Sequence, residues 1–169
     1  DCKKTLWIGT ADIKDLYVKD GRGTTKPLLE VLSDLVKRGV EIRLIHAKEP
    51  DPVFRQDFDK YPALIDGMER VLCPRVHFKI IVFDLKTAYV GSANLTGAGL
   101  GMKGENTRNF EAGVLSSNKD FVKNATDNST ASGWEPTAKA AGGRSSVGTR
   151  LDFIQILKQE GTTYRNKNS

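Results

Sequence analysis

Between Thr5 and Ala47 the apolar pattern changes period twice, and this limits the folds open to the chain. The run TLWIGT (5–10) is short and largely apolar, as a buried strand is. In TKPLLEVLSDLVKR (25–38), Leu28, Leu29, Leu32, Leu35 and Val36 fall on one face of a helix. Thr24 or Thr25 is placed to cap it ahead of Pro27, and Gly39 follows the basic Lys37–Arg38 end as a helix stop. VEIRLIHA (40–47) then alternates as a second strand. Strand, helix, strand is a βαβ unit, and its crossover helix demands parallel pairing. The expected class is therefore α/β.

Further along, EPDPVF reads as a Pro-rich loop, and a helix over 54–70 is interrupted or restarted near Pro62. RVLC forms a short strand. Two strands, 76–83 and 88–93, are joined by a tight turn at DLKT, and 95–106 is a Gly-rich loop. RNFEAGVLS (108–116) is a strand, and 118–125 a short helix capped by Asn118. Residues 126–150 are rich in Gly, Ser, Thr and Ala and lack the apolar side chains needed to bury a core. They mark a flexible loop or linker after a domain at 1–125. Residues 151–169 are expected to form a C-terminal amphipathic helix and a polar tail.

Charge narrows the partners. The net charge of +5 suits a polyanion such as nucleic acid or an acidic headgroup. No apolar run approaches the roughly 20 residues of a membrane span, so no transmembrane segment is expected. Cys2 and Cys73 are isolated, which speaks against a disulfide framework or a zinc site. The chain opens Asp-Cys-Lys-Lys, without a methionine or an apolar leader. A cytoplasmic location is the expectation, with export left open by a start that looks trimmed.

The second hairpin, RVHFKIIVFDLKTAYVGSAN (75–94), carries polar residues that a core hairpin does not need. Residues two apart on a strand face the same side, so His77 and Lys79 project together, as do Ser92 and Asn94. If the strands pair across the turn, the four converge at one end of the sheet. An imidazole, an ammonium, a hydroxyl and an amide together supply a nucleophile and several anion donors, a set that fits phosphate. Asp84 lies seven residues from His77, on the opposite parity, and its expected task is to hold the turn or a neighbouring donor.

The spacing His77-x-Lys79, Asp84, Gly91-Ser92-x-Asn94 resembles the HKD signature of the phospholipase D superfamily at every signature position. The resemblance covers roughly residues 5 to 122 and is closest to the single-motif, Nuc-like endonuclease branch. It implies an α/β/α domain whose mixed, largely parallel β-sheet is sandwiched by helices, with a metal-independent phosphodiesterase activity and no cofactor. The implied catalytic set is His77, Lys79, Asp84 and Glu111. His77 would attack phosphorus and form a phosphohistidine that water hydrolyses. Lys79 and Asn94 would bind the non-bridging oxygens, with Ser92 donating to phosphate or supporting the histidine. Glu111, in RNFEAGVL, would accept from the other ring nitrogen of His77.

A single motif supplies one histidine where in-line displacement uses a nucleophile and an acid. The resemblance resolves this with a homodimer in which the two motifs share one site. His46, at the end of a predicted strand, is a secondary candidate for the acid or for substrate contact. Arg75, Lys103 and Arg108 are candidates for a basic rim along a phosphate backbone. The expected substrate is DNA or RNA. The alternatives are phospholipase D or phosphatidyl-transfer chemistry on lipid headgroups, and a nucleic-acid-binding module of a larger assembly.

Overall fold

A computed structural model describes residues 2–14, 16–19 and 24–130. The chain runs β1 (Thr5–Thr10), β2 (Tyr17–Lys19), β3 (Thr25–Pro27), α1 (Leu28–Lys37), β4 (Glu41–His46), α2 (Pro52–Phe58) and α3 (Pro62–Gly67). It continues with β5 (Met68–Leu72), β6 (Ile80–Phe83), β7 (Thr87–Gly91), β8 (Gly113–Ser116) and α4 (Lys119–Thr130).

Six strands form one mixed sheet in the order β5-β4-β1-β6-β7-β8, and β2 and β3 pair separately. β5, β4 and β1 are mutually parallel, as the βαβ unit demands, while β6, β7 and β8 join them through antiparallel ladders. Four of the six strands, β1, β4, β5 and β7, thus point the same way.

Alternation along the strands builds two cores. Leu6, Ile8, Ile42 and Leu44 face α1, α2 and α3 through Leu29, Leu32, Phe54 and Leu64. Trp7, Ile80, Val82 and Ala88 face α4 through Phe121, Val122 and Ala125. Helices therefore cover both sides of the sheet, giving the α/β/α sandwich.

Local details differ from the sequence reading in three places. No threonine caps α1: Thr25 is taken into β3, and the helix starts directly from Pro27 with no side-chain cap. Gly39 stops the helix as expected, with φ at +83° and its N–H on the Val36 carbonyl. The 108–116 strand shrinks to β8, because Ser92 and Ala112 exchange side-chain and backbone hydrogen bonds just outside the ladder. α4 continues to Thr130, so the first residues expected in a linker are helical, with Ser129 buried. The remaining linker, 131–150, and the expected C-terminal helix and tail lie outside the described residues.

Candidate active site

The hairpin that carries the signature is shorter than its apolar run. β6 starts at Ile80 and β7 ends at Gly91, so His77, Lys79, Ser92 and Asn94 all lie just beyond the regular strands. The register pairs Ile80 with Val90 and Phe83 with Thr87. Extended regularly, it would place Gly91 and Ala93, not Ser92 and Asn94, on the side of His77 and Lys79. Pairing alone therefore does not assemble the site.

Instead the ladder closes at the Gly91 N–H to Lys79 carbonyl bond (3.0 Å), and the chain then crosses to β1. Leu95 makes a parallel bridge with Ile13, and its N–H donates to Thr10 Oγ1 (3.1 Å). Asn94 Oδ1 accepts from the Asp12 N–H (3.3 Å) and lies 3.4 Å from Thr10 Oγ1. With its carbonyl so engaged, the side-chain NH2 of Asn94 is left as a donor.

On the β6 side, the ring of Phe78 anchors the segment. A Cβ at Gly9 would stand 2.2 Å from Phe78 Cε2, so the ring lies directly on the glycine of β1. His77 and Lys79 flank this anchor. Lys79 Nζ donates to the His77 carbonyl (2.9 Å). The His77 side chain is exposed and, among the described residues, has no hydrogen-bond partner.

Ser92 and Glu111 form a third group. Ser92 Oγ donates to Glu111 Oε2 (2.5 Å) and accepts the Ala112 N–H (3.0 Å), while Asn109 Nδ2 donates to Glu111 Oε1 (3.0 Å). The glutamate therefore engages Ser92 and Asn109, and the expected bond to His77 is not formed in this structure. The reason is local: 108–112 peel away from the sheet, and Glu111 is held off the ladder by those two partners. The same carboxylate approaches Tyr89, whose pKa is raised first by burial and then by the Glu111 charge.

Asp84 stands apart, as its parity demands. It sits at the far end of β6 in a turn where Asp84 and Leu85 both have positive φ, 52° and 53°. Its carboxylate accepts the backbone N–H groups of Lys3, Lys4 and Thr5, at 2.7 to 3.0 Å. These bonds, led by Lys4, hold its pKa well below the usual carboxylate range. Asp84 thus fastens the start of β1 to the hairpin turn, at the opposite end of the sheet from His77.

His46 is not a surface residue. It is 1% exposed, its Nδ1 hydrogen-bonds the Lys48 carbonyl (2.7 Å), and Nε2 is shut away without a partner. Burial lowers its pKa, keeping the ring neutral where a surface histidine would titrate. It is closed to direct substrate contact in this structure, because the end of β4 is packed under its neighbours. Arg108 lines a cavity of about 480 Å³ together with Glu111, while Arg75 and Lys103 are exposed outside it. Among the described residues, no group of three or more His, Cys, Asp or Glu is arranged to hold a metal ion.

Three site residues escape the sequence reading: Thr10, Tyr89 and Asn109. A polar residue closing the buried run TLWIGT was the one available signal for Thr10. Tyr89 reads as an ordinary strand aromatic, yet it reaches over the end of its own strand. Cβ atoms at Gly91 and Gly113 would meet its ring or hydroxyl at 2.2 to 2.7 Å.

A mixed sheet between helix layers, with these residues grouped at one end, defines an α/β protein of the phospholipase D-like fold. The chain belongs to the family described as cardiolipin synthase, PLD-like domain, whose model matches residues 1–130. Among solved structures it is similar to Nuc, a phospholipase D family member from Salmonella typhimurium, at 16% identity and TM-score 0.55, covering 77% of this chain and 78% of that one. It is also similar to NucT from Helicobacter pylori, at 13% identity and TM-score 0.53, covering 77% and 79%. The archaeal chromatin protein TrmBL2, whose structure is described as showing a novel mode of DNA binding, matches at 13% identity and TM-score 0.51, covering 78% of this chain and 43% of that one. A comparison with curated protein sequences finds no match. No helix among the described residues is long and apolar enough to cross a membrane.

Proposed function

We propose that the protein is a metal-independent endonuclease that cleaves DNA or RNA through a phosphohistidine. The carrying observation is His77 itself: an exposed imidazole with no hydrogen-bond partner among the described residues, with the Lys79 ammonium on its own carbonyl. A ring nitrogen of His77 forms the bond to phosphorus as the bond to one ester oxygen breaks. That oxygen takes its proton from His77 of a second subunit. The second imidazole then draws a proton from water, which displaces His77 and restores both rings.

Lys79 has two ammonium hydrogens beyond the one given to the His77 carbonyl. With the Asn94 amide they meet the charge that grows on the non-bridging oxygens. Ser92 and Glu111, tied to each other, hold the end of β7 against the start of β8 and keep the phosphate side of the site in register. The dimer supplies a second motif histidine, since the chain's other histidine, His46, is buried.

Nucleic acid is favoured by the net charge of +5 and by the DNA binding described for TrmBL2. The family's description as cardiolipin synthase, PLD-like domain, favours lipid headgroup chemistry as the second reading. Plasmid and phosphatidylcholine are incubated with wild type and His77→Ala in EDTA. Nicking that survives chelation and disappears in His77→Ala is expected; headgroup release with intact plasmid would select the lipid reading.

A further inference from the structure

We propose that the cavity beside the Ser92–Glu111 pair, together with the ring of Phe110, is a subsite for one unpaired nucleobase of a single-stranded polynucleotide. The inference rests on the phosphodiesterase reading and names the part of the substrate that the site selects.

Three features carry it. The first is position. Ala93, between Ser92 and Asn94, and Glu111, bonded to Ser92, both line the cavity, so it opens alongside the residues that face phosphate. A base is joined to its phosphate through one sugar and needs that adjacency. The volume, about 480 Å³, lies in the range of small-molecule sites.

The second is chemistry. Asn109 spends its Nδ2 on Glu111, leaving Oδ1 as an acceptor. Tyr89 keeps its phenolic proton, since burial and the Glu111 charge both raise its pKa. The Arg108 guanidinium has no ion pair among the described residues and adds further donors. A base edge presents donors and acceptors side by side and matches this lining. An acyl chain would leave these polar groups without partners, whereas a base meets them with its edge and meets Leu100 with a face.

The third is Phe110, which is 100% exposed in a loop whose other residues between Gly101 and Glu111 are, apart from Met102, polar or glycine. A phenyl ring in water on the wall of this cavity is a ready surface for stacking a base, and every base has a face to stack. A paired base is already stacked and has its edge occupied, so the subsite selects unpaired strands.

The experiment compares wild type, Phe110→Ala and Phe110→Trp on three substrates. These are a single-stranded oligonucleotide, the duplex of the same sequence, and bis(p-nitrophenyl) phosphate, a diester with no base. Because Phe110 is fully exposed, its truncation leaves the core intact. For Phe110→Ala, kcat/KM on the single strand is expected to fall about tenfold or more relative to the small diester, mainly through KM, with recovery in Phe110→Trp. Equal losses on both substrates would overturn the subsite. So would light scattering that shows Phe110→Ala turning a dimer into a monomer, which would make the ring a contact between copies. Phe110-dependent binding to phosphatidylglycerol vesicles without an effect on the oligonucleotide would overturn it as well. If wild type hydrolyses none of the three substrates, the phosphodiesterase reading fails separately. Anisotropy of a labelled single strand then decides: weaker binding by Phe110→Ala supports the subsite, and equal binding rejects it.

Discussion

Gly9→Ala puts the geometry of the site to the test from a position that carries no chemistry. The new Cβ would lie 2.2 Å from Phe78 Cε2 and 2.7 Å from Cδ2. Carbon atoms in contact sit about 3.5–4.0 Å apart, so the ring must retreat by more than about 1 Å. Overpacking of this kind costs about 1–3 kcal/mol. At about 2–4 °C per kcal/mol for a chain of this size, Tm falls by about 2–12 °C. An unstrained glycine-to-alanine change would instead stabilise by about 0.4–1 kcal/mol, so the sign alone is informative. Phe78 stands between His77 and Lys79, and its retreat carries both away from productive geometry. A displacement of about 1 Å reduces rate by about 100-fold, which sets the expected loss in phosphodiester hydrolysis. Calorimetry and bis(p-nitrophenyl) phosphate kinetics read the two effects. Phe78→Leu in the Gly9→Ala background should recover part of the Tm, with a coupling of about 0.5 kcal/mol or more. Unchanged Tm and rate in Gly9→Ala, or strict additivity in the double variant, would refute this account of how the histidine is held.

Three further outcomes follow from the hydrogen bonds. Asp84→Asn removes the charge that gathers the Lys3, Lys4 and Thr5 N–H groups, so it lowers Tm at neutral pH. Because the folded pKa is depressed, wild type keeps its advantage above the ordinary carboxylate range and loses it as pH falls, and melting curves of the two proteins should converge in acid. His46 has the opposite proton chemistry but the same slope: its folded pKa lies below the ordinary 6.5, so the folded state binds fewer protons and acidification through that value destabilises. His46→Leu should flatten Tm against pH in that window. Thr10→Val strips the acceptor from the buried Leu95 N–H, with an expected cost of about 1–3 kcal/mol in urea unfolding.

How much of this was legible in the sequence depends on the range of the interaction. The βαβ unit was, because Leu28 to Val36 and the flanking strands declare themselves by local period and Gly39 by its place after a basic turn. The remoteness of Asp84 from His77 was legible too, since seven residues of alternation settle it. What Asp84 holds was not: its partners, Lys3 to Thr5, lie 79 to 81 residues away. Glu111 bonds Ser92 and Asn109 rather than His77 in this structure, and nothing in RNFEAGVL says that the strand begins only at Gly113. Tyr89 and Asn109 are ordinary residues in their own segments and become site residues only through the loop that folds beside them.

The assembly of the hairpin residues marks the limit most clearly. Parity joins His77 to Lys79 and Ser92 to Asn94, but the observed register would set the two pairs on opposite sides of a regular ladder, and Ser92 bonds Glu111 while Asn94 bonds Asp12. Asn94 is recovered only because pairing stops at Gly91 and the chain crosses to Thr10 and Asp12 at the end of β1. β1 is the seam of the sheet, parallel to β4 on one side and antiparallel to β6 on the other. The carboxyl end of such a seam is where an α/β sheet leaves a crevice between diverging connections. His77 and Lys79 precede β6 beside this end of β1, where Ile80 pairs with Gly9, and Asn94 is bonded there to Thr10 and Asp12. The site therefore belongs to the seam rather than to the hairpin, and changes in β1 such as Gly9→Ala should damage it more than changes at the hairpin turn.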